Sequence, residues 1–374
     1  MIALGRALAA RGHAVTLQTA ERWGHDVRAE GLRFEPAPEY QVFPTRERPL
    51  KPYQAVVRAA AACAPLLDAV RPDVVVADVL TLAPALAAEM RGVPLATVIP
   101  HVYPVGAPGL PPYSFGARLS RWPVAPWSLL QRPLDAALAR GRDELNETRR
   151  RLGLPALSHF HGGLSRDLCL VGTLPALEYP REWPPWVRVV GPLMWEPPAR
   201  REAPPPGDGP AVMVAPSTAQ DPGQRMLLTA LRGLAGAPVR VLATWNRRPP
   251  PRPPAVPANA RLVEWLSYAR SMPACDVVVC HGGHGTVVRA VSAGCRIVAV
   301  PAGGDMYENA ARIDWAGLGV RLPMRLLSPA TLRLAVERAL RRPEAPGRAA
   351  AAWIAERDPA MRAAELLERL AARR

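Results

Sequence analysis

Short apolar runs alternate along this chain with stretches whose apolar positions recur every three to four residues. In the first half the pattern predicts a helix over 2–12, a strand Ala14-Val-Thr-Leu-Gln18, a helix near 22–31 and a strand over 32–36. It then predicts a helix over 53–70, a strand Val74-Val-Val-Ala77, a helix over 81–91 and a strand Pro94–Ile99. Such alternation is the signature of a parallel sheet with helices on both faces.

Prolines and aromatics break the pattern from Pro100 to about Pro133. Tyr103, Tyr113, Phe115, Trp122 and Trp127 there either line an apolar cavity or pack on one another as a surface excursion. A helix over 134–152 and strands near 167–171 and 187–190 close this half. Between Glu196 and Gly209 the chain has no apolar periodicity and is stiffened by proline, which suits an extended linker. The expected division is a lobe over 1–196, a linker over 197–209 and a second lobe over 210–374.

The second lobe repeats the pattern. Strands are predicted at Ala211–Ala215, Val239–Ala243, Arg261–Val263, Asp276–Cys280 and Arg296–Val300, and helices at 329–341, 346–357 and 360–372, the last returning toward the first lobe. The predicted fold class is therefore α/β, with two Rossmann-like lobes facing a cleft. Ligands of open parallel sheets bind beyond the carboxyl ends of the strands, which directs attention to that cleft.

Composition narrows the partners. The 374 residues, 49% hydrophobic and 21% charged, are enough for two globular domains. The net charge of +15 is carried by arginine, since Lys51 is the sole lysine. We read it as general arginine usage that attracts anions such as nucleotide diphosphates; no nucleic-acid partner is expected, and the anionic face of a membrane is the alternative. Cys63, Cys169, Cys275, Cys280 and Cys295 are odd in number, scattered and mostly in apolar runs, which reads as reduced core residues of a cytoplasmic protein. No apolar run reaches the roughly 20 residues that span a bilayer.

One segment carries readable chemistry. After the strand ending at Cys280 comes His281-Gly-Gly-His-Gly-Thr286, a glycine-rich turn opening a helix, whose first-turn N–H groups make an anion site. The same turn can also be purely structural. His281 and His284 lack a third ligand nearby, so no metal is expected. Asp305 stands at the carboxyl end of the next strand, where it either reaches a sugar attached to a diphosphate or caps the following helix.

Trp265, then His281-Gly-Gly-x-Gly-Thr286, Gly294, Pro301, Asp305 and Asn309 together resemble the donor-binding signature of the nucleotide-sugar-dependent family 1 glycosyltransferases, especially the bacterial natural-product type. Arg11-Gly-His13, Pro72-Asp-Val-Val-Val-Ala-Asp78, Gly92-Val-Pro94 and Val190-Gly-Pro192 extend the resemblance over nearly the whole chain. It implies the two-lobed GT-B fold and inverting transfer of a hexose or deoxyhexose from a UDP- or TDP-sugar to a hydroxyl of a hydrophobic small molecule. No cofactor is implied beyond that co-substrate. Trp265 would stack on the base, although a Trp at a strand end also serves as core. His281, Thr286 and the backbone near Gly283 and Gly285 would hold the diphosphate, Ser217 and Thr218 would add hydroxyl donors, and Asp305 would hold sugar hydroxyls. Arg289 stands where the family has a ribose-binding Glu, and Met306 where it has Gln; an apolar Met306 would suit a deoxysugar. Ser267-Tyr268 replaces the usual Pro-Gln, which leaves the base open.

For the acceptor, the resemblance implies a catalytic histidine before the first helix, oriented by an aspartate that Asp78 matches. Asp78 has the alternative role of capping the helix after it. Met1 already aligns within the first helix, so the first strand and the histidine are expected to be missing, with a start codon placed too far downstream as the favoured explanation. A degraded relative and a non-catalytic nucleotide-sugar-binding helper are the others. His101, Trp122 and Trp127 are the candidate acceptor-side residues. A lipid-acceptor enzyme at a membrane surface is the remaining alternative.

Overall fold

The structure is a computed structural model that describes residues 1–37, 52–107, 109–113, 115–119, 127–158, 164–217 and 220–373. Its first half contains α1 (Ile2–Ala10), β1 (Thr16–Thr19), α2 (Gly24–Ala29), β2 (Arg33–Pro36), α3 (Pro52–Val70), β3 (Val75–Asp78), α4 (Leu82–Met90) and β4 (Leu95–Ile99). They are followed by α5 (Trp127–Arg151), β5 (Leu168–Val171) and β6 (Val187–Val189). The second half contains β7 (Ala211–Ala215), α6 (Arg225–Gly233), β8 (Arg240–Thr244), β9 (Ala260–Val263), α7 (Tyr268–Ser271), β10 (Val277–Cys280) and α8 (His284–Ser292). It ends with β11 (Arg296–Ala299), α9 (Met306–Trp315), β12 (Gly319–Arg321), α10 (Pro329–Leu340), α11 (Ala345–Ala355) and α12 (Pro359–Ala371).

All strand pairs are parallel, as the alternation predicts. The second half forms one six-stranded sheet in the order β12-β11-β10-β7-β8-β9. Its strands are apolar on both faces because helices cover both. Val212, Val214, Val277 and Val279 pack with Met226 and Leu227 of α6 and Leu332 and Val336 of α10. The alternate residues Met213, Val278 and Cys280 pack with Val287 of α8, Ile313 of α9 and Ile354 of α11 on the opposite face.

The first half departs from a single sheet. β3-β4-β5-β6 form one sheet and β1-β2 another, so among the described residues β1 pairs only with β2, and β3 only with β4. α12 crosses to this half, where Ala363, Leu367 and Leu370 pack with Leu4 and Ala7 of α1 against Val98 and Leu170. Glu368 ties the two helices by accepting from Arg11 at 2.7 and 2.6 Å. At the entry to α12 the chain runs against Gly191, where φ is +104° and a Cβ would lie 2.8 Å from the Pro359 ring.

Several elements differ from the sequence expectation. α5 starts at Trp127 and includes Pro133, whereas the prolines predicted broken structure up to that residue. Trp127-Ser-Leu-Leu-Gln-Arg is helix-compatible, and one proline removes only one backbone donor. The helix expected at 22–31 is a 3-10 turn, Glu21–Trp23, followed by the short α2. β12, only three residues long, and α6 were not predicted. All five cysteines are free and buried. No described helix is long and apolar enough to cross a membrane.

Candidate active site

β7, β10 and β11 are neighbours in the sheet, so the loops after them converge at their carboxyl ends. The middle loop is the glycine-rich turn. Gly282 adopts φ +82°, and a Cβ there would stand 3.3 Å from the Met306 carbonyl oxygen, so the turn needs glycine on both counts. Gly283 precedes α8; the N–H groups of Thr286 and Val287 bond back to its carbonyl at 3.0 and 3.1 Å. The N–H groups of His284 and Gly285, ahead of them in the first turn, have no helical partner and stand at the positive end of the helix dipole.

Two side chains lock this turn to its neighbours. The His281 ring, 1% exposed, accepts the Ser217 N–H on Nδ1 at 2.9 Å, which leaves the proton on Nε2 to face Asp221 Oδ2 at 3.2 Å. Burial pulls its pKa down, and Asp221 opposes that. Asp221 also accepts the N–H groups of Arg225 and Met226 at 3.0 and 2.9 Å, so it caps α6 while holding the histidine. On the other side Asn309 donates to the Gly282 carbonyl at 2.9 Å and to Asp305 Oδ2 at 3.2 Å. Asp305 therefore joins the site through Asn309 and makes no side-chain cap on α9.

The sequence-selected residues divide on this geometry. Ser217, His281, Gly283, Gly285, Thr286 and Asp305 come together around the α8 turn. The structure corrects the expected direct role of the His281 ring: both nitrogens are already spent inside the protein. Met306 is 9% exposed, its side chain folded inward at the start of α9. Trp265 lies partly buried after β9 with the Arg247 guanidinium 4.7 Å from its ring centroid, so one face already carries a cation. Thr218 and Trp122 lie outside the described residues, and for Trp127 only the backbone, at the start of α5, is described.

Arg289 is spent inside the protein. It donates to the carbonyls of Gly285, at 3.0 Å, and Trp195, and stands 3.6 Å from Glu196, fastening α8 to the chain leaving the first lobe. Glu196 in turn accepts from the Ser267 hydroxyl that caps α7. Sequence reasoning missed Asp221, Glu196 and Arg247, because their contacts are 60 to 93 residues away in sequence or depend on side-chain direction.

Across the cleft, Asp78 ends β3 and its Oδ1 accepts the Leu80 N–H at 2.9 Å. His101 bonds the Val102 carbonyl through Nδ1 at 2.7 Å and lies beside Tyr113, ring centroids 6.0 Å apart. His284 crosses the cleft, its Nε2 donating to the Gly172 carbonyl at 3.2 Å; burial, with the His101 charge, pushes its pKa down to about 4. Beneath it the lobes are pinned by Arg312 of α9, which donates to Glu178 at 2.9 Å, to the Leu177 carbonyl at 2.9 Å and to Glu308 at 2.8 Å.

Comparison with known proteins agrees with this architecture. A profile described as erythromycin biosynthesis protein CIII-like, C-terminal domain, matches residues 230–371, and one described as glycosyltransferase family 4 matches residues 1–168. The chain is 30% identical to the 4'-demethylrebeccamycin synthase of Lentzea aerocolonigenes over 92% of its own length and 89% of that protein. It is 30% identical to a PGL/p-HBAD biosynthesis rhamnosyltransferase of Mycobacterium bovis over 75% of its length and 62% of that protein. The calicheamicin glycosyltransferase CalG4 superposes with a TM-score of 0.75 at 22% identity, over 100% of this chain and 94% of that one. Glycosyltransferase VinC in complex with DTDP gives 0.71 at 20% identity, over 100% and 96%. These solved structures establish the GT-B fold, and the rebeccamycin relative, matched nearly end to end, establishes the family: the chain belongs to the nucleotide-sugar-dependent family 1 glycosyltransferases of natural-product type.

Proposed function

We propose that the protein transfers a hexose or deoxyhexose, with inversion, from a UDP- or TDP-sugar to a hydroxyl of a hydrophobic small molecule. The observation that supports this most is the α8 turn: two helix-terminal N–H groups at the meeting point of three strand-end loops, held by His281–Asp221 on one side and Asn309–Asp305 on the other. A diphosphate placed there accepts from His284 and Gly285 N–H, and the same donors stabilise the negative charge that grows on it as the sugar leaves. The Thr286 and Ser217 hydroxyls add to that cradle. The His281 ring contributes by fixing Ser217, and Asp305 is the carboxylate for sugar hydroxyls. Trp265 would stack the base on the face opposite Arg247.

The acceptor would enter from the side of His101 and Tyr113. VinC was solved with DTDP and one relative is named a rhamnosyltransferase, which together support a TDP-linked deoxyhexose donor. A second reading is donor binding without transfer, in which Asp78, whose Oδ1 accepts the Leu80 N–H at 2.9 Å, serves only to hold the turn after β3. A transfer assay with UDP- and TDP-hexoses and deoxyhexoses against apolar hydroxylated acceptors separates the two, with product anomers read by NMR. An inverted glycoside supports the first reading; nucleotide-sugar binding with no product in any pairing supports the second.

A further inference from the structure

An open surface hollow of about 700 Å³ lies between β12 and the C-terminal end of α10, and none of its walls comes from the loops that follow β7, β10 or β11. Five arginines line it, Arg321, Arg325, Arg338, Arg341 and Arg342, against a single acid, Asp314. That acid is already committed, accepting from Arg342 at 2.7 Å and from Arg118 at 2.9 Å. Arg321 spends one nitrogen on the Gly116 carbonyl, while its Nε is buried with no hydrogen-bond partner among the described residues. Among the described residues the guanidinium groups of Arg325, Arg338 and Arg341 face no carboxylate within ion-pair distance. Several arginines elsewhere on this lobe are paired, Arg296 and Arg348 with Glu344, Arg333 with Glu337 and Arg261 with Glu202, while others such as Arg232 and Arg270 stand singly among the described residues; what sets this group apart is that five arginines line one hollow.

Part of this clustering has a local cause. Cations near the end of α10 are favoured by its dipole by about 0.3–1 kcal/mol each. That accounts for Arg338, Arg341 and Arg342 and leaves Arg321 and Arg325, which arrive from β12 and the turn after it. Like charges converging on one hollow repel unless an anion sits among them, and guanidinium forks match phosphate oxygens in geometry.

We propose that this hollow is a second anion site, separate from the α8 turn, that takes a phosphate group. The group is either a free oligophosphate or the phosphate headgroup of an anionic lipid. The rim suits both: Leu326 beside Arg325, and Leu334 one helical turn before Arg338, are 55% and 42% exposed. Through Arg321–Gly116 and Arg118–Asp314 the site also touches the segment of the first lobe that carries Tyr113, so occupancy would be felt on the acceptor side.

The test is calorimetric titration of the full chain with pyrophosphate while the α8 turn is saturated with TDP, comparing wild type with Arg338→Gln/Arg341→Gln. Both side chains are exposed, so the variant should keep its fold, which a melting curve checks. Binding should persist under TDP, weaken at least about tenfold in the variant and fall steeply with salt. Parallel sedimentation with phosphatidylcholine vesicles, with and without phosphatidylglycerol, identifies the source. Sedimentation with phosphatidylglycerol that the variant loses assigns a lipid headgroup, and pyrophosphate binding without sedimentation assigns a free anion. The proposal is overturned if neither ligand binds while TDP is saturating, or if the variant binds as wild type does. Should TDP itself fail to bind, the fault lies with the α8 turn, and the variant comparison still reads the hollow.

Discussion

Replacing Arg312 by Met should separate the energetics of the lobe junction from those of the donor turn. Arg312, Glu178 and Glu308 are 4%, 4% and 0% exposed, and the guanidinium also lies 4.3 Å from the centroid of Tyr179. Its removal leaves two carboxylates in a low-dielectric seam without their cation, a change that costs about 3–5 kcal/mol in comparable buried pairs. The sign of the pH dependence follows from Glu178. Burial already raises its pKa, and Arg312 is the main influence holding it down. Without Arg312 it rises further, so the folded state keeps a proton that the unfolded state releases, and stability falls as pH rises above the unfolded value of about 4.3. Urea unfolding at pH 5 and pH 8 should show the larger loss at pH 8. Adding Glu178→Gln should recover at least about 1 kcal/mol there, since a neutral amide replaces a stranded carboxylate. A loss below about 1 kcal/mol, equal at both pH values, would refute the assignment of this triad as the pin between the lobes.

Asp221→Asn should weaken nucleotide-sugar binding severalfold in titration, because an amide no longer draws the Nε2 proton of His281 or caps α6 as an anion; unchanged affinity would mean that the His281–Asp221 pair does not shape the donor turn. Lowering the pH from 6.5 to 4 should destabilise wild type by up to about 3 kcal/mol through His284, whose ring stays neutral when folded but takes a proton when unfolded. His284→Gln should flatten that slope in acid-unfolding curves, and an identical slope in the variant would show that other groups carry it. Gly191→Ala should cost about 1–3 kcal/mol, since it puts a methyl group at a positive φ and into the Pro359 ring, and an unshifted melting temperature would contradict that packing.

Much of this was legible in the sequence because the strands bury both faces. Runs such as Val277-Val-Val-Cys280 have no polar alternation to confuse them, and the glycines at 282 and 283 announce the turn that follows. The residues that meet around the α8 turn were readable for the same reason: their positions are fixed by sequence distance from a strand end. What stayed hidden depends on tertiary contact. Asp221 reads as one more acid before a proline until the fold brings it to His281. Arg289 looked like a lost ribose contact, whereas the structure uses it to bind Trp195 and Gly285. The start of α5 was obscured by Pro133, a strong local signal that the surrounding helix-formers overrode. β12 is too short to carry a pattern, so the arginine hollow beside it had no sequence signature beyond a general excess of arginine.

The central claim is that the first-turn amides of α8 hold the donor diphosphate, and calorimetric titration of TDP and UDP into wild type and Gly285→Pro tests it most directly. Proline is tolerated in a first helical turn, so the substitution deletes one N–H donor while preserving the helix. A hydrogen bond to a charged group contributes about 1.5–3 kcal/mol, so nucleotide affinity should fall roughly 10- to 100-fold with the melting temperature little changed. Equal affinity in the two proteins, or no nucleotide binding in wild type, would contradict the account.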